Sequence, residues 1–358
     1  MAARVTLQTI ADKLGVSRTT VSNAYNRPDQ LGDDLRKRVF DAAAELGYRG
    51  PDAAARMLRT GHMGAIGLLF TEDLRFVFSD PDTTHFMQGV AESSALAGTG
   101  LTLLPVPAGV AIADTAVPST AVDGYLVFSV PSEHPALETI LSRGAPVVIV
   151  DEPDLGDAAS FVGINDRLGA RLAADHLLGL GHRRVGVLLG RLHLDGRCGP
   201  AGSDALAQGT VRVARDRLDG YRDAMRSHGL DPTDLIVWEA GGNDPDAGRR
   251  AAIELLTAHP DTTALGCFSD QLAIGAAQAG ERLGRTIPRD LSLVGFDDVP
   301  RAASWDPPLT TIRQPLVDKG RVAAELLLHQ IDNGSRGRVE LPLDLVVGGS
   351  TEPRGRWR

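Results

Sequence analysis

Polar side chains recur along one face of a short predicted helix near the N-terminus. They are Arg18, Thr19, Ser22, Asn23 and Asn26. Arginine and asparagine can form paired hydrogen bonds with base edges, and short polar groups can bond phosphate oxygens. This face therefore suits the major groove of a DNA duplex. A solvated face on an ordinary helical hairpin would carry similar residues, so the neighbouring elements must decide between the two interpretations.

The residues before this helix predict how it is positioned. Thr6 can cap a first helix, and Ser17 can cap the second. Ala11 would let the two helices approach closely, Gly15 would permit the tight turn between them, and Val21 would seal their contact. This spacing is typical of a helix-turn-helix. With a third predicted helix over 33–46, it indicates a small all-α domain.

The charge distribution separates this segment from the rest of the chain. The 358 residues carry a net charge of -9, which by itself argues against a nucleic-acid partner. Residues 1–61, however, hold ten basic and seven acidic side chains, a net charge of +3, which leaves −12 on the remainder. Such asymmetry suggests a small basic module on an acidic body.

A second, very short helix is predicted just after the trihelical segment. Pro51 suits its beginning and Gly61 its end. Leu58 lies between Arg56 and Arg59, and a leucine in this setting can wedge between base steps in a minor groove while the arginines hold phosphates. The alternative is an alanine-rich linker with an incidental leucine.

Apolar strands alternate with helices throughout residues 62–358, which predicts parallel sheets with right-handed crossovers. The predicted strands are 65–70, 101–105, 124–128, 147–150, 161–164, 185–189, 264–268, 291–296 and 343–347. The predicted helices are 85–96, 135–142, 167–180, 218–228, 247–259, 272–283 and 317–331. This length exceeds one such layer, so we expect two doubly wound α/β subdomains.

Composition and motifs exclude several classes of protein. Hydrophobic residues make up 43% and charged residues 23%, as in ordinary globular proteins, and the apolar runs are too short to span a membrane. The N-terminus lacks the apolar region of a secretory signal, and two cysteines make no disulfide framework, so we expect a cytoplasmic protein.

We find no motif that would make the chain an enzyme. It contains neither a phosphate-binding loop nor a dinucleotide fingerprint, and the spacings of His176 and His182 and of Cys198 and Cys267 do not suit a metal. No cofactor and no metal site are therefore predicted. The alternative function is that of a cytosolic solute-binding or sugar-metabolising α/β protein, which would leave residues 1–61 unexplained.

Several motifs, in order and spacing, resemble the lactose-repressor family of bacterial transcription regulators over nearly the whole chain, apart from an expanded stretch at 191–213 and the tail after Gly348. They are TLQTIADKLGVSRTTVS at 6–22, ELGY at 45–48, ARMLRT at 55–60, VGIND at 162–166, GLGHRRV at 179–185, FSDQLA at 268–273, LVGFDD at 293–298 and PLTTIRQ at 308–314. The resemblance implies a homodimeric repressor that binds a palindromic operator at the nucleoid under the control of a small-molecule effector.

The resemblance also implies an organisation. A helix-turn-helix domain would occupy residues 1–50, a hinge helix 51–61 and an effector-binding and dimerisation domain 62–358. The last would have the fold of periplasmic sugar-binding proteins. Its lobe one would comprise about 62–164 plus 296–320, and its lobe two about 165–295 plus 321–350.

By the same resemblance, the DNA contacts fall on the head and the hinge. The implied residues are Thr6, Leu7, Ser17, Arg18, Thr19, Thr20, Ser22, Asn23, Asn26, Ala55, Arg56, Leu58 and Arg59. Two departures from the family pattern stand out. Asn23 occupies a position that is usually arginine, and Gly50 is an extra residue before the hinge, so we expect an operator that differs from the common family sequence.

Effector contacts are implied at Arg217 and Asp270, which match the family's ligand-binding arginine before a helix and aspartate at a strand end. Arginine and aspartate hydrogen-bond the hydroxyl groups of sugars and polyols well. A surface charge is the alternative for Arg217, and a helix cap is the alternative for Asp270. Asn243 is a weaker candidate, for which a plain turn is an equal alternative.

The family usually places an aromatic pair in the cleft before the first body helix, where this chain has Asp82 and Thr83. Phe76 or Phe78, in the preceding loop, could supply the missing stacking surface. Alternatively, Asp82 would suit the cleft to a more polar ligand. A core phenylalanine and a loop aspartate remain equal alternatives for these residues.

Overall fold

The computed structural model describes residues 5–48, 50, 61–93 and 98–354. The chain divides into two compact units, residues 1–63, which we call the head, and residues 64–358, which we call the body. The predicted hinge contacts lie outside the described residues. These are Ala55, Arg56, Leu58 and Arg59.

Three α-helices form the described part of the head, α1 (Leu7–Leu14), α2 (Arg18–Asn26) and α3 (Asp33–Glu45). They surround a small core whose fully buried members include Ile10, Ala11, Val21 and Val39.

The connection between α1 and α2 has the predicted geometry. Gly15 ends α1 with a φ of 67°, a left-handed conformation that glycine adopts without a steric penalty. Ala11 and Val21 are both fully buried, so the small side chain and the sealing valine lie at the contact between the helices. The predicted helix-turn-helix is confirmed.

Strands in the body follow one another in chain order as β1 to β13. Their bounds are β1 (Ala65–Phe70), β2 (Gly100–Pro105), β3 (Tyr125–Phe128), β4 (Val147–Val150), β5 (Ser160–Ile164), β6 (Val185–Leu189), β7 (Gly199–Pro200), β8 (Ile236–Glu239), β9 (Ala264–Cys267), β10 (Ser292–Val294), β11 (Thr311–Arg313), β12 (Arg338–Leu341) and β13 (Asp344–Val346).

Helices in the body continue the numbering of the head. They are α4 (Leu74–Ser79), α5 (Pro81–Glu92), α6 (Pro135–Leu141), α7 (Asp166–Gly179), α8 (Ser203–Gln208), α9 (Arg212–Ser227), α10 (Pro245–Ala258), α11 (Asp270–Arg282), α12 (Pro300–Ser304) and α13 (Leu316–Asn333).

Two sheets organise the body into two lobes. Lobe one has a six-stranded parallel sheet in the order β12-β5-β4-β3-β1-β2, and lobe two has a five-stranded sheet in the order β10-β9-β6-β8-β7. Only β7 runs antiparallel to its neighbour within that second sheet. A short antiparallel pair, β11 with β13, packs beside α7. The predicted pair of α/β subdomains is thus present.

The expected division of the C-terminal third, with 296–320 in lobe one and 321–350 in lobe two, is wrong for residues 296–313 and for residues 321–341. Instead, β12 pairs with β5, and α13 packs against α5 and the strands of lobe one. The segment from β10 to β11 stays with lobe two, because Gly295 N donates to Thr310 O at 2.8 Å and Asp297 N to Ile312 O at 2.7 Å.

The bounds of the two lobes are therefore set by which sheet each strand pairs with. Lobe one comprises residues 64–164 and 316–341, and lobe two comprises residues 166–313 and 344–354. The chain crosses between them after β5, between β11 and α13, and between β12 and β13. The last two crossings replace those implied by the expected lobe bounds, near 295 and near 320.

Glycine allows α13 to lie close against α5. A Cβ atom on Gly89 would come within 1.8 Å of the carbonyl oxygen of Val317, and one on Gly320 within 2.0 Å of that of Phe86. No larger residue fits either position without separating the helices. This close contact holds α13 on lobe one, so the crossover from lobe two ends where α13 begins.

Candidate functional site

The recognition face of the head lies on α2. Ser17 caps the helix, because its Oγ accepts from Thr20 N at 3.0 Å and lies 2.8 Å from the hydroxyl of Thr20. Arg18 and Thr19 are exposed, whereas Ser22 and Asn23 are half-buried. Asn26 is the last residue of the helix. The structure thus places the predicted α2 residues on one short helix.

The N-terminus of α1 carries the remaining predicted head contacts. Thr6 accepts a hydrogen bond from Thr9 N, and its own N–H donates to Thr9 Oγ1 at 3.2 Å, which completes a reciprocal cap. Leu7 packs against the head core. Free N–H groups at such helix ends attract phosphate, so this terminus is suited to the DNA backbone.

A cavity of about 180 Å³ lies between the two lobes of the body. Its polar lining consists of Thr71, Glu72, Asp80, Asp82, Thr83, Ser129, Asp151, Glu152, Arg191, Arg217, Asn243, Ser269 and Gln314. Its apolar lining includes Phe70, Phe76, Phe128, Val211, Val213, Phe268 and Leu316. Both lobes and the crossover before α13 contribute to it, so a bound molecule would contact all three parts.

Arg217 lines the cavity and is buried, which excludes the surface-charge alternative. It lies within α9 and not just before a helix as expected. Its Nε donates to Asp166 Oδ1 at 2.8 Å, its Nη1 donates to the Phe268 carbonyl, and its guanidinium group lies 3.5 Å from the centre of the Phe296 ring. These contacts hold the guanidinium group in one orientation at the cavity wall.

Asp270 is fully buried and does not line the cavity, although the neighbouring Ser269 does, so its predicted contact with an effector stays a prediction. Its Oδ1 accepts from Thr311 Oγ1 at 2.6 Å and its Oδ2 from Val299 N at 2.9 Å, so both oxygens serve contacts within lobe two. A Cβ atom on Gly295 would lie 2.1 Å from Asp270 Oδ1. Burial raises the pKa of Asp270 to about 8.

Asp270 is not the cap of a helix either, because the capping residue is the one before it. The N-cap of α11 is Ser269, whose Oγ accepts from Leu272 N at 3.2 Å. The same Oγ donates to Asn243 Oδ1 at 2.5 Å. Asn243 therefore lies on the cavity wall, and this hydrogen bond holds its side chain in place. A residue that only formed a turn would not need such a bond.

The two phenylalanine candidates differ in whether they reach the cavity. Phe76 lines the cavity, whereas Phe78 is 65% exposed and lies outside the lining, so the assignment of Phe78 to the cleft is wrong. Both lie on α4, where residues two apart point in different directions. Asp82 lines the cavity. Whether the lining residues contact an effector remains a prediction.

Hydrogen bonds and an ion pair cross the boundary between the lobes beside the cavity. Glu72 of lobe one pairs with Arg191 of lobe two. Glu152 Oε2 accepts from the backbone N of Arg212 at 2.6 Å, and the Arg212 side chain donates to the Asp151 carbonyl. Burial raises the pKa of Glu152 to about 7. The expanded 191–213 segment thus contacts lobe one at both of its ends.

A buried network follows the crossover before α13. Lys319 Nζ donates to Asp151 Oδ1 at 2.7 Å and to Gln314 Oε1 at 2.6 Å. Gln314 Nε2 in turn donates to Asp297 Oδ1 at 2.6 Å. Lys319 and Asp151 belong to lobe one and Asp297 to lobe two. The network therefore spans the lobe boundary through a single glutamine.

Sequence reasoning missed several of these residues, although a signal was available. Glu72, Ser129, Asp151 and Arg191 each follow closely after a strand of a parallel sheet, β1, β3, β4 and β6 respectively. Ligands of open α/β sheets bind at the carboxyl ends of the strands. Applied to all predicted strands, this rule would have found them. Ser129 and Asp151 also have positive φ angles of 50° and 64°, a strained conformation common at functional sites.

Metal ligation finds no support in the described part of the body and head. No group of three or more histidine, cysteine, aspartate or glutamate side chains there could hold a metal ion. Among the same residues, no helix is both long and apolar enough to cross a membrane.

Comparison with known protein families assigns both units. Residues 6–50 match the family of bacterial regulatory proteins, lacI family, and residues 174–351 match the periplasmic binding protein-like domain. The chain is 44% identical over 352 residues to an HTH-type transcriptional regulator of Mycobacterium tuberculosis, with 98% of each chain covered. It is 40% identical to the HTH-type transcriptional regulator IpsA of Corynebacterium glutamicum, covering 97% of this chain and 98% of that one.

Solved structures agree with these sequence relationships. A LacI-family transcriptional regulator from Corynebacterium glutamicum has a TM-score of 0.75 and 37% identity, covering 96% of this chain and 98% of its own. The transcriptional regulator CelR in complex with cellobiose has a TM-score of 0.68 and 29% identity, covering 97% and 100%. These findings confirm the expected family and fold class. The chain belongs to the lacI family of bacterial regulatory proteins, the lactose-repressor family, and is a transcription regulator of the helix-turn-helix type.

Proposed function

We propose that this regulator is a repressor that binds a palindromic operator as a homodimer, and that a small molecule in the interlobe cavity controls its affinity for the operator. The observation that carries this proposal is the composition of the cavity wall, which takes Asp82 from lobe one, Arg217 from lobe two and Gln314 from the crossover. A ligand that touches all three favours one arrangement of the lobes. A change in lobe arrangement can then change DNA affinity by a coupling free energy.

Two features support the DNA-binding part. The exposed Arg18 and Thr19 lie at the N-terminal end of α2, which is the end that enters the major groove in helix-turn-helix proteins. Two copies related by a twofold axis would read two half-sites about one helical turn apart, or a multiple of that distance. The predicted hinge has Leu58 between two arginines. It would bind the minor groove at the centre of the operator, between the two half-sites.

The effector part is supported by a relative as well as by the cavity. The CelR structure is a complex with cellobiose, so a relative that shares the architecture of this chain binds a sugar. For this chain we propose a sugar, a polyol or a related metabolite. We further propose that the cavity binds and releases its ligand without catalysis and that the protein acts in the cytoplasm at the nucleoid, where its operator would lie.

Selection of bound DNA from a random library by the full chain tests the proposal. We expect an enriched sequence with dyad symmetry. Its affinity, measured by fluorescence anisotropy, should change when a small-molecule extract of the host cells is added. Enrichment of sequences without dyad symmetry would argue against the dimeric operator complex. An operator affinity that no extract changes would argue against effector control.

A further inference from the structure

The two ends of the expanded 191–213 segment are tied together inside lobe two. Leu192 is fully buried in the core of that lobe, and its N–H donates to Glu239 Oε2 at 2.9 Å. The carbonyl oxygen of Leu192 accepts from Thr210 N at 2.9 Å and from Val211 N at 3.1 Å. These hydrogen bonds hold the beginning of the segment beside its end.

The part between the ends is attached to lobe two as well. It contains β7, which pairs with β8, and Ala201 N donates to Val237 O at 2.9 Å. Asp195 and Arg197 form an ion pair at 2.9 Å within the segment. Because it is held at its ends and in its middle, the segment moves with lobe two.

Both ends of the segment also bind lobe one, at two separate loops. At the first end, Arg191 pairs with Glu72, which follows β1. At the last end, Glu152 Oε2 accepts from Arg212 N at 2.6 Å and from Val213 N at 3.4 Å, and Glu152 follows β4. Since β3 lies between β1 and β4 in the sheet, the segment is attached to two different parts of lobe one.

The second attachment is a helix cap that one lobe supplies to the other. The first N–H groups of an α-helix have no partners within the helix, and a carboxylate is favourable at this end. α9 begins at Arg212, and the residue before it, Val211, has no polar side-chain atom that could cap the helix. The buried Glu152 of lobe one takes this role for α9 of lobe two. Separation of the lobes would therefore leave the helix without its cap.

The attachment points belong to the cavity wall. The residues of the segment that line the cavity are Arg191, Leu194, Val211 and Val213, and the lobe-one partners Glu72 and Glu152 line it too. The segment thus closes one side of the cavity by joining the two lobes there. Its detachment from lobe one would open that side.

We propose that residues 191–213 form a clasp that holds the lobes together beside the cavity, and that both of its ends detach from lobe one in one step to admit a ligand. This inference rests on the proposed function, because it concerns access to the same cavity. It makes Arg191 and Glu152 positioning residues, which set how often the cavity is open, and it gives the expanded segment a role.

Hydrogen exchange of the full chain tests whether the two ends detach together. The N–H groups of Arg212 and Val213 bond Glu152, so they exchange with solvent when the clasp opens. We expect Glu152→Ala to speed their exchange roughly five- to tenfold, as for the loss of a helix cap. Arg191→Met acts at the other end of the segment, and we expect it to speed the same exchange roughly threefold.

Two further variants separate a clasp from a local effect. Glu72→Gln removes the partner of Arg191 from lobe one and should speed exchange at Arg212 as much as Arg191→Met does. Arg197→Met is the matched control, because the ion-pair partner of Arg197 lies within the segment, and it should leave this exchange unchanged. Exchange at Arg212 that neither Arg191→Met nor Glu72→Gln alters, measured by mass spectrometry, would overturn the proposal.

Alkylation of a cysteine in the cavity tests access. Ser129 lines the cavity, and Cys267 is buried, so Ser129→Cys combined with Cys198→Ser gives a protein whose reactive thiol lies in the cavity. We expect Arg191→Met, added to this protein, to speed its reaction with iodoacetamide roughly threefold, and Arg197→Met to have no effect. Equal rates in all three proteins would overturn the proposal.

Neither measurement uses an effector or an operator, so the clasp and the proposed function can fail separately. The expected exchange and alkylation rates, together with an operator affinity that no cell extract changes, would support the clasp and contradict effector control. An operator affinity that responds to an extract, together with rates that the clasp variants leave unchanged, would overturn the clasp alone.

Discussion

Two carboxyl groups interact electrostatically across the boundary between the lobes, that of Asp82 on lobe one and that of the buried Asp297 on lobe two. Burial and the charge of Asp297 raise the pKa of Asp82 well above its usual range, and burial raises that of Asp297 to about 7. Asp80, Asp270 and Arg217 are the other charged groups acting on this pair. The boundary between the lobes therefore carries two interacting carboxyl groups that hold their protons to a higher pH than ordinary aspartates do.

The stability of the body should fall as the pH rises. In the unfolded chain Asp297 ionises at about pH 4, but in the folded protein it ionises near 7. Between these values the folded state binds more protons, so the free energy of unfolding decreases as the pH rises through this window and levels off above it. We expect a loss of roughly 2–4 kcal/mol from this group, measurable by urea denaturation across the window.

The variant Asp297→Asn isolates this contribution. Its amide oxygen can still accept from Gln314 Nε2, and its side chain cannot ionise. We expect a higher Tm than that of the unaltered protein above about pH 7 and a weaker dependence on pH. Glu152, with a pKa raised to about 7, leaves part of the dependence in place. A variant with an unchanged pH profile would show that Asp297 does not ionise within this window.

Loss of Arg217 should destabilise lobe two as well as alter the cavity. Arg217→Ala leaves Asp166, whose side chain is 3% exposed, without its ion-pair partner. Breaking such a buried pair costs about 3–5 kcal/mol. Urea denaturation followed by tryptophan fluorescence measures this loss. In the double variant Arg217→Met with Asp166→Asn, much of it should be recovered, and a double variant as unstable as Arg217→Ala would contradict the ion-pair argument.

Asp270 should matter little for the effector. Because its oxygens bond Thr311 and Val299 outside the cavity, Asp270→Asn can keep both contacts if the Thr311 hydroxyl reverses its direction. We expect the rise in Tm with a small-molecule extract of the host cells to be nearly the same as for the unaltered protein. Loss of the response in a variant of normal stability would place Asp270 in the effector site after all.

Asn23 should contribute to base recognition. It is half-buried on α2, at a position where the family pattern has arginine. Asn23→Ala should relax the preference at one base pair of each half-site, by about 1–3 kcal/mol if the amide contacts an adenine. Selection of bound DNA with the variant measures this directly. A selected sequence identical to that of the unaltered protein would remove Asn23 from base readout.

Leu58 provides a test of the hinge predicted from the sequence. Leu58→Ala should weaken binding to the selected operator and reduce DNA bending, because the wedge between base steps is lost. Non-specific binding depends on phosphate contacts and should be unchanged. Anisotropy and electrophoretic bending assays with operator and scrambled DNA separate the two effects. Full operator affinity in the variant would exclude the wedge.

Local patterns in the sequence were sufficient to predict the helices and the turn of the head. The spacing of Ala11, Gly15 and Val21 encodes contacts between residues that are close along the chain, so it predicts the turn and both helix starts without knowledge of anything distant. The alternation of strands and helices predicted two α/β lobes for the same reason, since periodicity is a local property. Short strands such as β12, with exposed and half-buried residues in alternation, gave too weak an apolar pattern to be predicted.

Only the tertiary structure decided which groups meet at the cavity. Asp270 and Phe78 fit local patterns of a ligand site, yet hydrogen bonds to Thr311 and Val299 hold the first within lobe two, and the direction of α4 turns the second to solvent. The assignment of α13 to lobe one depends on its packing against α5, and the encounter of Asp82 with Asp297 depends on both lobes. Such contacts join residues more than 200 positions apart, and their free energy depends on burial and partners that no local pattern contains.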